Sequence, residues 1–239
     1  MAPSFFVKEA VNKVFPDLAI SVVPHYEERR HASFAPVEPS DSDIREIAVL
    51  GNVGAHKGRD YIYSCALDSH IRSLPLLFVV FGSIDLEENQ FGGKLRKMGT
   101  YERANLGDHL ARTKCRIGFL PSIWPETFSF VLSELLAFGL YPVVFNLGAQ
   151  AERLSASGTG SILEIGLSAM SINDHLLSIA IPERSMAQNR DTAEIDLAES
   201  KASYLSEIYG PGWSEPIASS AKSSTDFAVA RSHSHMPKV

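Results

Sequence analysis

Short apolar runs alternate with longer amphipathic stretches over most of the chain, and this rhythm predicts its fold class. Four runs are rich in β-branched or aromatic residues and end at Gly, Ser, Pro or Asn, which is typical of strands. They cover residues 47–50, 76–81, 117–120 and 141–146. Because both faces of each run are apolar, they predict a parallel sheet that is covered on both sides.

The stretches between these strands have helical periodicity, over residues 59–72, 101–113 and 128–138. Strands that alternate with helices are typical of a parallel sheet with crossover helices. We therefore predict an α/β protein with a Rossmann-like parallel sheet flanked by helices. Ligands of such sheets bind at the carboxyl ends of the strands, so candidate site residues are expected there.

The pattern also predicts how the chain is divided. Residues 1–25 are predicted to form a crossover segment and a first strand, as a unit of residues 5–14 followed by 19–23, and the polar, proline-containing residues 26–43 are predicted to form a loop. The Rossmann-like domain is expected over residues 44–210. Residues 211–239 are rich in Ser, Ala and His and carry little apolar surface to offset the entropy cost of ordering, so we expect a disordered tail.

Composition narrows the function classes. The 239 residues carry a net charge of −6, and a nucleic-acid surface needs an excess of clustered Lys and Arg, so no nucleic-acid partner is expected. Cys65 and Cys115 have neither disulfide nor zinc-ligand spacing. The sequence shows neither a membrane-spanning run nor a signal peptide. We expect a cytoplasmic protein, with attachment to the inner face of a membrane left open.

The turn after the first sheet strand, residues 51–58, is the first candidate site. Its glycines allow a ligand to approach the backbone, and Lys57 stands just before a predicted helix, where amide groups favour an anion. A phosphate fits this arrangement. The sequence is neither a Walker A loop nor a G-x-G-x-x-G motif, however, and a glycine-rich turn with a solvated lysine is the more frequent structure. Taken alone, the turn leaves both interpretations open.

Residues 121–130, which follow the strand at 117–120, are the second candidate site. Thr127 or Ser129 can cap the helix that follows, so backbone amides around Phe128 and Ser129 are expected to face the strand ends, where diphosphate oxygens are suitable partners.

Two carboxylates belong to this second site. Glu126 lies just before the helix N-terminus and can accept hydrogen bonds from sugar hydroxyls, while Glu134 lies in an otherwise apolar helix, where a buried charge needs a partner or a function. The structural alternatives are a capping role for Glu126 and a solvent-facing position for Glu134. From chemistry alone, these alternatives are as well supported as the binding roles.

Glu126 and Glu134 reproduce the E-x7-E motif of glycosyltransferase family four, and the surrounding PSIWPETFSFVLSELLAFG closely resembles the usual context of that motif. Three other segments resemble the family in the same order along the chain. They are the donor pyrophosphate loop IAVLGNVGAHKGRD at 47–60, the strand and turn YPVVFNLGAQAE at 141–152, and the interdomain crossover at 4–25. The resemblance covers about residues 3–165 and implies the C-terminal, donor-binding half of a GT-B fold.

The resemblance also implies roles for individual residues. Lys57 would contact the donor diphosphate, Glu134 the nucleotide ribose, and Glu126 the hydroxyls of the transferred sugar, so that Glu126 and Lys57 are the candidate catalytic residues. The amides of Phe128 and Ser129 would help to hold the phosphates, and residues 99–101 would flank the base. The full set of implied donor-binding residues is Asn52, Gly54, Lys57, Tyr101, Glu126, Thr127, Phe128, Ser129 and Glu134.

One position departs from the family pattern. Many members have an Arg five residues before the Lys, and this chain has Asn52 there. The loss of a guanidinium removes a bidentate phosphate contact. Either another residue such as Arg59 compensates, or the donor binds more weakly.

The implied activity is retaining transfer of a sugar from a nucleoside-diphosphate donor to a glycan, lipid or other acceptor, with the leaving diphosphate stabilised by Lys57 and helix amides. No cofactor or metal is expected, because no acidic cluster of the D-x-D type follows a strand. A GT-B enzyme also needs an N-terminal domain for its acceptor, so we expect such a domain or a partner subunit. Nucleotide, sugar and acceptor are not identified.

Two other functions stay open from the sequence. The chain could be a non-catalytic nucleotide-sugar-binding module that pairs with a separate acceptor subunit. It could also be an enzyme like the UDP-sugar 2-epimerases, which share the two-domain architecture, although the sequence offers no clear set of acid and base residues for that reaction.

Overall fold

A computed structural model describes residues 1–25, 44–85 and 90–180 of the chain. Its centre is a sheet of six parallel strands in the order β3-β2-β1-β4-β5-β6. The strands are β1 (Arg45–Asn52), β2 (Leu76–Ser83), β3 (Leu95–Gly99), β4 (Ile117–Leu120), β5 (Tyr141–Phe145) and β6 (Ser161–Leu163). This is the strand order of a Rossmann fold, whose direction of winding reverses between β1 and β4.

Helices connect these strands and flank the sheet. They are α1 (Phe5–Asn12), α2 (Arg59–Ile71), α3 (Leu106–Ala111), α4 (Phe130–Ala137), α5 (Gly148–Ser157) and α6 (Ala169–Ser178). Short 3-10 turns add Ala55–Lys57 and Gln90–Gly93. The predicted α/β class with a parallel Rossmann-like sheet is confirmed.

Alternation along each strand divides the core into two layers. On β1, Ile47 and Val49 face the layer that contains buried residues of α2 and α6, whereas Ala48 and Leu50 face the layer built with α3, α4 and α5. Side chains at neighbouring positions of a strand point to opposite faces, so a strand without polar residues fills both layers. Burial on both sides fixes the sheet, and with it the position of the strand ends.

The N-terminal segment differs from its prediction. Helix α1 lies within residues 5–14, but residues 19–23 do not form a strand: among the described residues, only a single bridge joins Ala2 to Val22. Helix α1 begins at Phe5, immediately after Ala2, Pro3 and Ser4, so too little extended chain remains for a longer ladder. The predicted loop at 26–43, residues 181–210 of the predicted domain and the predicted tail at 211–239 lie outside the described residues.

The N-terminal segment is nevertheless fastened to the domain. The carboxylate of Glu152, on α5, accepts hydrogen bonds from the first two amides of α1, those of Phe5 at 2.9 Å and Phe6 at 2.8 Å. The hydroxyl of Ser4 donates to the carbonyl of Thr127 at 2.9 Å. A carboxylate at a helix N-terminus satisfies amides that have no intrahelical partner. These contacts place α1 beside the loop that precedes α4.

Candidate functional site

The two predicted site segments follow β1 and β4, the strands between which the winding of the sheet reverses. They approach each other so closely that only glycine fits at position 58. Gly58 has φ +81°, and a Cβ atom there would lie 1.9 Å from the carbonyl oxygen of Pro121. The glycine therefore allows the turn that carries Lys57 to pack directly against the segment after β4.

Hydrogen bonds join the same two segments. The backbone carbonyl of His56 accepts from the amides of Ile123 at 3.1 Å and Trp124 at 3.2 Å, and from the Ser122 hydroxyl at 3.2 Å. The His56 side chain itself is exposed. One carbonyl thus fixes the turn after β1 relative to the loop that leads to Glu126.

Lys57 and Glu126 meet at this junction. The Lys57 ammonium forms an ion pair and a hydrogen bond with Glu126 Oε1, and the hydroxyl oxygen of Ser122 lies 3.3 Å from the same carboxylate oxygen. The side chain of Lys57 is 37% exposed and that of Glu126 is 19% exposed, so both remain accessible from the cleft. The sequence predicted that both would reach this edge of the sheet, but not that they would contact each other.

Glu134 occupies a separate, more enclosed position on α4. Its carboxylate accepts a hydrogen bond from the Tyr101 hydroxyl at 2.7 Å and lies 3.9 Å from the guanidinium of Arg103. Burial, followed by the hydrogen bond to Glu134, raises the pKa of Tyr101, so the phenol stays protonated and donates at neutral pH. With 11% of its side chain exposed, Glu134 does not have the solvent-facing position that was the alternative interpretation.

Two adjoining cavities lie at these strand ends. The smaller, of about 50 Å³, is lined by residues that include Lys57, Glu126 and Ser129. The larger, of about 340 Å³, is lined by Gly51, Asn52, Gly82, Ser83, Thr100, Tyr101, Arg103 and Glu134. Gly51 and Asn52 line both, and the larger volume lies within the usual range for small-molecule sites. Three of the implied donor-binding residues, Gly54, Thr127 and Phe128, line neither cavity.

The start of α4 differs from its prediction. The helix begins at Phe130 rather than at residue 128, because Ser129 adopts a left-handed conformation with φ +70° and ψ 82° that cannot continue a helix. Ser129 occupies the N-cap position, but its hydroxyl makes no capping hydrogen bond within the described part of the chain. Ser129 therefore provides no side-chain cap for the amides of the first turn, while Ser129 and Val131 line the smaller cavity.

Arg59, the residue considered as a replacement for the missing arginine at position 52, lies outside the linings of both cavities. Its guanidinium hydrogen-bonds Asp60 at 3.1 Å and lies 5.7 Å from the centre of the Tyr63 ring. Asn52 accepts a hydrogen bond from the hydroxyl of Ser83 at 2.8 Å. Lys57 is a cation that lines the smaller cavity, and Arg103 is a cation that lines the larger one.

Sequence reasoning missed several lining residues. Ser83 is the last residue of β2, and Arg103 lies two residues beyond Tyr101. Thr100, which follows β3, belongs to residues 99–101, which the resemblance placed beside the base. The position of Ser83 at the end of a buried strand was the available signal for that residue. Arg103 had no such signal, because residues 101–113 were predicted to be one helix, whereas α3 begins only at Leu106.

Neither a metal cluster nor a membrane span is found in the described part of the chain. These residues contain no group of three or more His, Cys, Asp or Glu side chains placed to hold a metal ion. Among the same residues, none of the helices is long and apolar enough to cross a membrane.

Comparison with known proteins identifies the fold. No protein-family model matches the chain, and no curated protein matches it in sequence. Among solved structures, it is similar to a glycosyltransferase from Rickettsia africae ESF-5, with a TM-score of 0.58, 18% identity, and coverage of 74% of this chain and 52% of that one. It is also similar to sucrose-phosphate synthase from Thermosynechococcus elongatus, with a TM-score of 0.56, 14% identity, and coverage of 74% and 47%.

A third similar structure is the GtfA/B complex, with a TM-score of 0.55, 14% identity, and coverage of 87% of this chain and 41% of the matched chain. The chain thus spans about half or less of the length of each of these three proteins. It has the Rossmann-like fold that forms one part of GT-B glycosyltransferases, as the sequence predicted.

Proposed function

We propose that this chain is the donor-binding part of a retaining glycosyltransferase and that its ligand is a nucleoside-diphosphate sugar. The observation that carries the proposal is the convergence of Lys57, Glu126 and the Glu134–Tyr101 pair on two adjoining cavities at the winding reversal of a GT-B-type sheet. Ligands of open α/β sheets bind at that point.

The two cavities suit different parts of this ligand. The larger one has room for a nucleoside, and Glu134 offers a carboxylate that can accept hydrogen bonds from ribose hydroxyls while Tyr101 holds it in place. The smaller one brings a cation, Lys57, together with the first turn of α4, and both attract phosphate oxygens. Gly51 and Asn52, which line both cavities, would lie beneath the junction of nucleoside and diphosphate.

The ion pair between Lys57 and Glu126 would be exchanged for contacts to the donor when the donor binds. A diphosphate brings negative charge, which competes with Glu126 for the Lys57 ammonium. When Lys57 turns to the phosphates, Glu126 is released and can accept hydrogen bonds from hydroxyls of the sugar. The phosphate and sugar parts of the donor would thus be recognised by two residues that hold each other when the cleft is empty.

The same groups would assist bond cleavage. As the bond between the sugar and the diphosphate breaks, negative charge develops on the leaving oxygens, and Lys57 with the amides of α4 would stabilise it. The acceptor would be supplied from outside the described domain, by an N-terminal GT-B domain or a partner subunit. Its class, whether glycan, lipid or another molecule, would be selected there.

A thermal-shift panel tests the proposal directly. The 239-residue chain is heated with nucleoside diphosphates and nucleotide sugars that differ in base and sugar, and one nucleotide series should raise its melting temperature. A ligand present at 100 times its Kd stabilises the native state by about 2.7 kcal/mol. If no member of the panel stabilises the chain, the proposal is wrong.

Lys57→Met locates the binding site within this test. Loss of a hydrogen bond between charged groups costs about 1.5 to 3 kcal/mol, so the variant should bind the diphosphate about 10-fold to 150-fold more weakly. Lys97→Met is the matched control, because it removes the same charge from an exposed position of β3 that lines neither cavity. An equal loss in both variants would place binding elsewhere.

A further inference from the structure

The turn before α4 combines a strained backbone with a place in the proposed phosphate site. Ser129 is not a glycine, yet it adopts the left-handed conformation, with φ +70°. Side chains other than glycine avoid this region because Cβ approaches the following carbonyl oxygen. Such a conformation persists only where the surrounding structure holds it, and residues of this kind are concentrated at ligand-binding sites.

Arg153 makes the contacts that keep the backbone around Ser129 in this conformation. From α5, its guanidinium donates to the carbonyl of Phe128 at 2.9 Å, to the carbonyl of Ser129 at 2.8 Å and to the hydroxyl of Ser133 at 2.7 Å. It also lies 3.9 Å from the centre of the Phe128 ring, a cation–π distance. These contacts restrain Ser129, the preceding residue Phe128 and the first turn of α4. The planar guanidinium makes several such contacts at once, which a lysine ammonium cannot reproduce in the same geometry.

Arg153 itself lines neither cavity, whereas Ser129 and Val131, in the turn that it holds, line the smaller one. We propose that Arg153 is a positioning residue: it fixes the backbone around Ser129 so that the first-turn amides of α4 face the phosphates of the donor. The inference rests on the proposed function. It adds a residue that acts on the diphosphate through the shape of the turn rather than through contact.

The experiment compares Arg153→Met and Arg153→Lys with a matched control, Arg45→Met. Like Arg153, Arg45 makes three hydrogen bonds, which go to the backbone carbonyls of Leu176 at 2.6 Å, Leu177 at 3.1 Å and Ile179 at 2.9 Å. Arg45 stands at the start of β1, however, at the opposite edge of the sheet from the cavities. All three variants are expected to melt at lower temperature than the wild type.

Affinities for two ligands then distinguish a positioning role of Arg153 from an effect on the overall stability of the protein. The nucleoside diphosphate identified by the thermal-shift panel is titrated by calorimetry, and the corresponding nucleoside, which has no phosphate, by NMR. Both Arg153 variants should bind the diphosphate at least tenfold more weakly and the nucleoside within twofold of the wild type. Arg45→Met should bind both ligands as the wild type does. Because Arg153→Lys keeps the charge, its failure to restore affinity would show that the shape of the guanidinium matters.

Each other outcome overturns the inference. Restored affinity in Arg153→Lys would assign the effect to charge alone, and an equal loss for nucleoside and diphosphate would assign it to general stability. Unchanged diphosphate affinity in both Arg153 variants would show that the turn needs no such support. Each of these results leaves the proposed function intact. If the folded wild-type chain binds neither ligand, the proposed function fails first, and this inference fails with it.

Discussion

At the scale of single residues, the contact between Lys57 and Glu126 changes what a substitution of Glu126 should do. Family resemblance alone assigns Glu126 to the sugar, which implies that its loss leaves the bare diphosphate unaffected. In the structure, Glu126 also holds Lys57, the cation proposed for the phosphates. A carboxylate in that position opposes diphosphate binding, both by occupying Lys57 and by repelling negative charge.

Glu126→Gln should therefore bind the bare nucleoside diphosphate severalfold more tightly than the wild type. Its preference for the nucleotide sugar over the bare diphosphate should fall by about 10-fold to 150-fold, the equivalent of one lost hydrogen bond to a charged group. Calorimetry with both ligands measures the two numbers. Glu134→Gln is the matched comparison. It should weaken the binding of both ligands by the same factor, because both contain the ribose. Weaker diphosphate binding by Glu126→Gln would contradict the competition between Glu126 and phosphate.

At the scale of elements, α5 determines where Glu126 lies. Gly148, the first residue of this helix, has φ +64°, and a Cβ atom there would lie 2.8 Å from the amide nitrogen and 2.9 Å from the carbonyl oxygen of Glu126. The amide of Ala149 also donates to that carbonyl at 2.9 Å. Gly158, the C-cap residue of the same helix, has nearly the same φ, +67°, but a Cβ atom there would have no atom of the described residues within 4 Å.

Comparison of Gly148→Ala with Gly158→Ala separates the effect of backbone strain from the effect of displacing the Glu126 backbone. Gly158→Ala should cost roughly 1 to 2 kcal/mol of unfolding free energy, the penalty for a left-handed alanine, and leave nucleotide-sugar affinity unchanged. Gly148→Ala carries the same penalty and must also push the backbone of Glu126, so it should cost more stability and weaken nucleotide-sugar binding at least fivefold. Urea unfolding and calorimetry check both variants. Equal affinity in the two variants would show that the Glu126 backbone tolerates displacement.

The elements also show what local sequence can predict. Strands β1, β2, β4 and β5 were found within two residues of their true ends, because long apolar runs determine them. Strand β6 was missed because it has three residues, and Ile162 is 39% exposed. Helix α4 was predicted two residues too early, since nothing in the sequence marks Ser129 as left-handed. Periodicity thus finds buried elements, but it cannot locate a turn that is held by tertiary contacts.

The same limit applies to the site. Lys57 and Glu126 were picked out because they lie in the segments that follow two strands, and Glu134 because it is a carboxylate in an otherwise apolar helix; their separate roles came from the family resemblance. The contacts that these residues make were not predicted. Lys57 and Glu126 are 69 residues apart in the sequence, and Tyr101 and Glu134 are 33 residues apart, so no local pattern encodes either contact. Arg153 was missed for the same reason: its carbonyl partners are 24 and 25 residues away.

At the scale of the whole molecule, two buried thiols link stability to pH. Burial raises the pKa of both Cys65 and Cys115 to about 12. Since the ordinary value is about 8.5, the unfolded chain releases these protons first, and the stability that the thiols contribute is present below pH 8.5 and lost as pH rises toward 12. The expected loss is about 1.4 kcal/mol per pH unit for each thiol above pH 8.5.

Urea unfolding between pH 8.5 and 10 measures this slope, and an ordinary tyrosine, with a pKa of about 10, ionises substantially only at the upper end of this interval. The wild type should lose about 3 kcal/mol over this interval from the two thiols together. A variant with both Cys65→Ala and Cys115→Ala should be less stable at pH 7 but nearly flat over the same interval. A wild-type slope that survives both substitutions would assign the alkaline loss to other groups.

The chain spans about half or less of each of the three similar structures, and under the proposed function donor binding and sugar transfer are expected to be separable. Transfer requires that donor and acceptor be held together, and orientation of two reactants accounts for a large part of catalysis. The purified 239-residue chain should therefore bind its nucleotide sugar and transfer no sugar, and addition of a domain or subunit that holds the acceptor should restore transfer. Incubation with radiolabelled donor and a range of glycan and lipid acceptors measures this. Slow hydrolysis of the donor is compatible with the prediction, since water needs no acceptor site, whereas rapid transfer by the chain alone would contradict it.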